Sequence, residues 1–243
     1  MDLTPDLRRV EIAGLSVIDA EPRGLARALA ADIAAGGRHL IAYFNANLVI
    51  QLDRAGIPSS RLDDFLILND GIAASLAARR LSGRGFAHNL NGTDFTPLLL
   101  QSLAPGSRVF LYGARPDVVA AAAAHVATLG DLVVAGHLDG YSTTREEAAR
   151  IVAEASPDVV LVALGNPLQE AWIAEHGPAL GAGAVVGVGA LLDFMAGRVS
   201  RAPAWVQKAR LEWSWRLMQE PRRLLRRYTL DMAEFFRVVR RRG

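Results

Sequence analysis

Short apolar runs alternate with Ala-rich segments of helical periodicity along most of the chain. Strands are expected at 10–17 (alone or as part of a hairpin), 39–44, 65–68, 108–112, 132–135, 159–164 and 184–188. Helices are expected at 22–35, 46–55, 72–81, 116–129, 144–155 and 168–176. Pro22 sits where a first turn tolerates it, Gly36 and Gly37 close that helix, and Thr143 or Thr144 can cap the helix that follows. Repeated strand, Gly-bearing loop and helix units predict an α/β fold with a mostly parallel, Rossmann-like sheet flanked by helices. Ligands of such sheets gather at the carboxyl ends of the strands. The loops after Phe44, Leu68, Tyr112, Leu164 and Val188 are therefore the places to look.

The pattern changes near Gly197. Leu225, Tyr228, Met232, Phe235 and Val239 then recur at helical spacing, flanked by Arg223, Arg226, Arg227, Arg237, Arg240 and Arg241. Residues 198–243 hold 12 Arg and 1 Lys against 4 acids, a net +9, whereas residues 1–197 carry −7. This predicts a catalytic-type α/β domain at 1–197 and a basic helical C-terminal appendage at 198–243. Such a helix suits an anionic membrane surface, a phosphate-rich substrate or nucleic acid, or it packs on the domain with its basic face in solvent. Trp205, Trp213 and Trp215 fit a core or an interfacial anchor equally well. No apolar run reaches the roughly 18 residues of a membrane span. The first residues lack the pattern of a signal peptide, so a cytoplasmic chain with peripheral membrane contact is expected. The chain has no Cys, which excludes disulfides, thiolate nucleophiles and thiolate metal sites.

Candidate chemistry sits at the strand ends. Asn69-Asp70-Gly71 places a carboxylate where a general base could face the cleft, though an Asp-Gly turn or a helix cap explains it as simply. Asn45 and Asn47 could cap a helix or bond a sugar or base. Gly165-Asn166-Pro167-Leu168-Gln169-Glu170 ends a buried strand and opens a helix, whose N–H groups can meet phosphate. Gly187-Val188-Gly189 followed by Asp193 is a second Gly-rich strand end, but the dinucleotide fingerprint is incomplete because Leu192 stands in its third Gly position. The chain has no Gly-Lys-Ser/Thr loop, no His-Glu-x-x-His, no Gly-x-Ser-x-Gly and no Asp-x-Asp, and its five His are scattered. A metal site is not expected, and no cofactor is called for. Any diphosphate must then be neutralised by arginines and helix N-termini.

Taken together these segments resemble the WecG/TagA/CpsF family of bacterial glycosyltransferases. The resemblance runs in order through Phe44-Asn45-Ala46, Asn69-Asp70-Gly71-Ile72, Asn91-Gly92-Thr93-Asp94 and Phe110-Leu111-Tyr112-Gly113. It continues through Asp139-Gly140-Tyr141, Gly165 to Glu170, Gly187-Val188-Gly189, Ala196-Gly197-Arg198, Arg201-Ala202-Pro203, Leu211-Glu212-Trp213 and Glu220-Pro221. It implies a metal-independent, inverting transfer from a UDP-sugar donor to a polyprenyl-diphosphate-linked sugar, in polysaccharide synthesis at the inner face of the membrane. It implies Asp70 as the base and substrate contacts from Asn45, Gln169 and Asp193, with Thr93, Asp94, Gly165, Gly187 and Gly189 around them. It assigns diphosphate contacts to Arg216, Arg223 and Arg226, and membrane docking to the same tail. A homo-oligomer is compatible with it. Three positions depart from the family pattern: Tyr43 for Thr, Asn89 for Arg and Leu168 for Lys. Two lost cations imply a changed donor or a different charge balance, with glucose or another hexose open beside N-acetylmannosamine. A Rossmann-type oxidoreductase would need the complete fingerprint. A nucleic-acid-binding module would need a reader motif, and the −7 domain opposes it, so no nucleic-acid partner is expected.

Overall fold

The computed structural model describes residues 7–198 and 221–242; between 221 and 230 it describes only the backbone. A hairpin comes first, β1 (Arg8–Ile12) and β2 (Leu15–Asp19), joined across Ala13 and Gly14, both at positive φ. The segment expected at 10–17 is therefore this turn and its two flanks. Next come α1 (Pro22–Ala34), β3 (His39–Phe44), α2 (Ala46–Arg54), β4 (Phe65–Asn69), α3 (Gly71–Ser82) and α4 (Gly92–Ser102). They are followed by β5 (Arg108–Gly113), α5 (Pro116–Val126), β6 (Val133–Leu138), α6 (Arg145–Glu154) and β7 (Val159–Ala163). The series ends with α7 (Leu168–His176), β8 (Ala184–Gly187), α8 (Leu191–Met195) and α9 (Pro221–Arg242).

The strands form one sheet in the order β1-β2-β4-β3-β8-β7-β5-β6, parallel except for the β1–β2 pair. Strand residues alternate between two cores. Ala42, Phe44, Val160, Val162 and Val185 face α2, α6 and α7. Ile41, Tyr43, Val159, Leu161 and Val186 face α1, α4, α5 and α8. This division follows from right-handed crossovers: connections running opposite ways along the sheet put their helices on opposite faces. Both faces are covered, so the central strands are apolar throughout.

Helix α4 was not expected. Pro97 lies inside it and Gly92 opens it, which hid a helix that Asn91 caps by accepting from the Asp94 N–H. The C-terminal half of α9 lies on α2 and α3. Phe235, Val238 and Val239 are buried in the same core as Phe44, with the Phe44 and Phe235 rings edge-on at 6.2 Å. Arg54 clasps Glu234 with two hydrogen bonds, and Arg241 and Arg242 pair with Asp53. Of the stripe foreseen on this helix, Phe235 and Val239 thus serve the α/β core. Leu225 and Tyr228 lie outside the described side chains.

Candidate active site

Strands β3 and β4 are parallel neighbours with Phe44 opposite Asn69, so the residues that follow them, Asn45 and Asp70, emerge side by side. Asn45 does both things its sequence allowed. Its Oδ1 accepts from the Leu48 N–H at 3.0 Å and caps α2, while its Nδ2 donates to Asp70 Oδ2 at 3.4 Å. Asp70 stands at the N-cap position of α3 yet makes no side-chain cap. That place is taken by Asn89, whose Oδ1 accepts the Gly71 N–H at 3.2 Å. The Asp70 backbone N–H is anchored on the Phe44 carbonyl at 2.9 Å. A carboxylate at a strand's carboxyl end, excused from capping and aligned by an amide, suits proton abstraction.

The 89–94 segment borders this pair. Leu90 N–H donates to the Asn69 carbonyl, and the buried Asn69 amide in turn donates to Ile18. Asn91 also donates from Nδ2 to Asp94 Oδ2 at 2.8 Å, so Asp94 belongs to the cap of α4, with half-buried Thr93 beside it. Tyr43 points beneath the same segment, into the core that α4 covers. Its hydroxyl meets Thr96 Oγ1 at 2.8 Å, and burial drives its pKa well above the ordinary tyrosine value. A Cβ at Gly92 would lie 2.9 Å from the Tyr43 ring, so this aromatic requires Gly at 92. Two of the three departures thus have structural roles here: Tyr43 locks α4 to β3, and Asn89 caps α3. Leu168 is exposed at the start of α7.

Across the sheet, β7 and β8 contribute a tightly bonded cluster. Asn47 Nδ2 donates to Asn166 Oδ1 at 3.0 Å, joining the first turn of α2 to the loop after β7. Asn166 Nδ2 and Gln169 Nε2 both donate to Glu170 Oε1, at 2.7 and 2.8 Å. Gln169 Oε1 then accepts the Gly189 N–H at 3.1 Å, reaching the loop after β8. Gly187 must lack a side chain, because its Cβ would come within 2.9 Å of Gln169 Nε2. Gly165 turns left-handed at the start of the β7 loop. Burial pushes the Glu170 carboxyl up to about 7 against the opposing pull of Gln169 and Asn166, and its Oε2 has no protein partner among the described residues.

The structure therefore brings Asn45, Asp70, Thr93 and Asp94 together at the carboxyl ends of β3 and β4, and Gly165, Gln169, Gly187 and Gly189 together at those of the neighbouring β7 and β8. Gln169 is almost fully buried, with each end of its carboxamide engaged. Asp193 lies half-buried in the first turn of α8. Arg216 lies outside the described residues, as do the side chains of Arg223 and Arg226. Sequence reasoning overlooked the central place of Glu170. The available signal was its spacing from Ile173, which puts both on one buried face of α7. Among the described residues no group of His, Asp and Glu side chains could hold a metal ion. No helix among them is long and apolar enough to cross a membrane.

A family model described as glycosyl transferase WecG/TagA/CpsF matches residues 10–243. The chain belongs to this family. A Bacillus subtilis (strain 168) member is 35% identical over 157 residues, 64% of this chain and 61% of its own length. A Bacillus spizizenii (strain ATCC 23059 / NRRL B-14472 / W23) member is 36% identical over 162 residues, 66% of this chain and 62% of its own length. Both are named N-acetylglucosaminyldiphosphoundecaprenol N-acetyl-beta-D-mannosaminyltransferase. The chain spans about three fifths of the length of the curated relatives it matches. The family resemblance expected from the motifs is thus established, and the α/β fold with it.

Proposed function

We propose that the protein is a metal-independent, inverting glycosyltransferase. It moves N-acetylmannosamine from a UDP-linked donor to the sugar of a polyprenyl-diphosphate acceptor, at a membrane surface and in polysaccharide synthesis. The observation that carries the reading is the Asn45–Asp70 pair at the carboxyl edge, with Asp70 released from capping by Asn89. In the reaction Asp70 takes the proton of the acceptor hydroxyl. That oxygen forms the new bond to the anomeric carbon from the face opposite the leaving group, and the bond to UDP breaks with its electron pair. The leaving diphosphate gains charge, so donors placed around it favour the transition state over the ground state. We assign that task to Arg216, Arg223 and Arg226 and to the N–H groups of the Gly-rich loops.

The names of the two relatives favour N-acetylmannosamine. The departures at 43 and 89 lose force as evidence for another sugar, because the structure gives both residues work within the fold. The Asp70→Asn variant should fold normally and lose kcat by about 10²–10⁴, the usual share of a general base. Turnover is read as acceptor-dependent UDP release in EDTA, with UDP-N-acetylmannosamine and UDP-glucose compared as donors. Full activity of Asp70→Asn would remove Asp70 from the mechanism, and faster turnover of UDP-glucose would correct the donor.

A further inference from the structure

A groove of about 900 Å³ runs between α3 and α9, away from the strand-end cluster. Leu76, Leu81, Phe236 and Val239 supply its apolar surface, and Arg79, Arg80, Arg237 and Arg240 line it from both helices. The apolar side continues toward the carboxyl edge, since Ile72 and Leu76 are 54% and 44% exposed on α3. Large exposed aliphatics on adjacent turns indicate a binding surface. The charges are unusual too. On the other flank of α9, Arg241 and Arg242 share Asp53 as an ion-pair partner. The four groove arginines make no ion pair or side-chain hydrogen bond among the described residues, and no acid lines the groove. Four guanidinium groups, one of them (Arg237) near the Glu234 carboxylate that Arg54 already holds, stand beside an apolar surface and complement a ligand that is anionic at one point and aliphatic beyond it.

Distance selects the ligand. Asp70 is the N-cap residue of α3, so at 1.5 Å per residue Arg79 and Arg80 lie about 14–15 Å along the axis and Leu81 about 16–17 Å. A hydroxyl held at Asp70 would be followed, at that reach, by its own pyranose ring and then by a diphosphate. We propose that the α3–α9 groove holds the diphosphate and first prenyl units of the lipid-linked acceptor, with Arg79, Arg80, Arg237 and Arg240 on the diphosphate and Leu81 and Phe236 on the prenyl chain. The inference rests on the glycosyltransfer reading and adds a separate acceptor track to it.

The test uses the full chain and two N-acetylglucosamine-diphosphate esters, one farnesyl and one methyl. Farnesyl diphosphate is also titrated calorimetrically without any donor. Leu81→Glu should erase the preference in kcat/KM for the farnesyl over the methyl ester. Arg79→Ala combined with Arg237→Ala should raise KM for both esters and weaken farnesyl diphosphate binding about tenfold or more, as expected for lost charge-assisted contacts. Arg150→Ala, on the distant α6, is the control, and melting temperatures confirm that the variants fold. Unchanged KM and unchanged farnesyl diphosphate affinity would overturn the proposal. So would variants that lose only sedimentation with phosphatidylglycerol vesicles while keeping acceptor KM, which would make the groove a membrane face. Weakened farnesyl diphosphate binding with no turnover of any donor would uphold the groove and reject the glycosyltransfer reading.

Discussion

At position 170 a carboxyl group is buried in the first turn of α7 and meets only amide donors on one of its oxygens. Its pKa rises from 4.5 to about 7 because burial penalises the charge more than those donors repay. The sign for stability follows. Between these values the folded protein keeps a proton that the unfolded chain has released, so stability falls as pH rises through the window and is lowest above it. The full span corresponds to at most about 3 kcal/mol. Glu170→Gln keeps an oxygen for Asn166 and Gln169 and removes the titration. Its melting temperature should therefore gain on the wild type steadily from about pH 5 to about pH 8, the gain reflecting the lost ionisation cost. Parallel profiles would show that Glu170 is not held neutral. Glu170→Leu removes the acceptor as well, so the two amides are left unpaired. It should be less stable than Glu170→Gln by about 1–3 kcal/mol, read from denaturant midpoints.

Among the elements, helix α9 changes the meaning of the tail most. The spacing of Phe235 and Val239 was legible in the sequence, but what the stripe faces was not. Periodicity says that a helix has an apolar side, and only the register with Phe44 and α2 says that this side is internal. The same limit applies elsewhere. The strands showed clearly because buried parallel strands are apolar on both faces, whereas α4 was hidden by Gly92 and Pro97. The strand-end motifs led to Asn45, Asp70 and the Gly-rich loops. They could not show that Asn89, distant in sequence, would release Asp70 from its cap, because that depends on the loop folding back. Phe235→Ala should cost about 3–5 kcal/mol, the usual loss for a fully buried aromatic, and be visible in chemical denaturation. A loss under about 1 kcal/mol would mean that α9 contributes little to the core. Truncation after Gly197 is for the same reason a poor probe of membrane docking, since it uncovers Phe44 and its neighbours.

On the scale of the molecule the chain is polarised, +9 over residues 198–243 and −7 over the rest. Within 231–242 the apolar residues Phe235, Val238 and Val239 are committed to the core and Met232 and Phe236 are partly buried, while Arg237 and Arg240 make no ion pair or side-chain hydrogen bond among the described residues. Attachment of this segment to a membrane would then rest on charge more than on apolar insertion. An arginine near an anionic bilayer contributes about 1 kcal/mol, and this attraction fades within a Debye length of about 10 Å at 0.1 M salt. Binding of the full chain to phosphatidylglycerol vesicles should accordingly fall at least about tenfold between low salt and about 0.5 M salt. Binding to phosphatidylcholine vesicles should be weak throughout. The −7 domain sharpens the expectation, because an anionic surface repels it and so orients the molecule with the basic end down. Co-sedimentation across a salt series decides the matter. Binding that persists at high salt, or that ignores lipid charge, would assign attachment to apolar groups in the 198–230 segment instead, with Trp205, Trp213 and Trp215 the first side chains to replace.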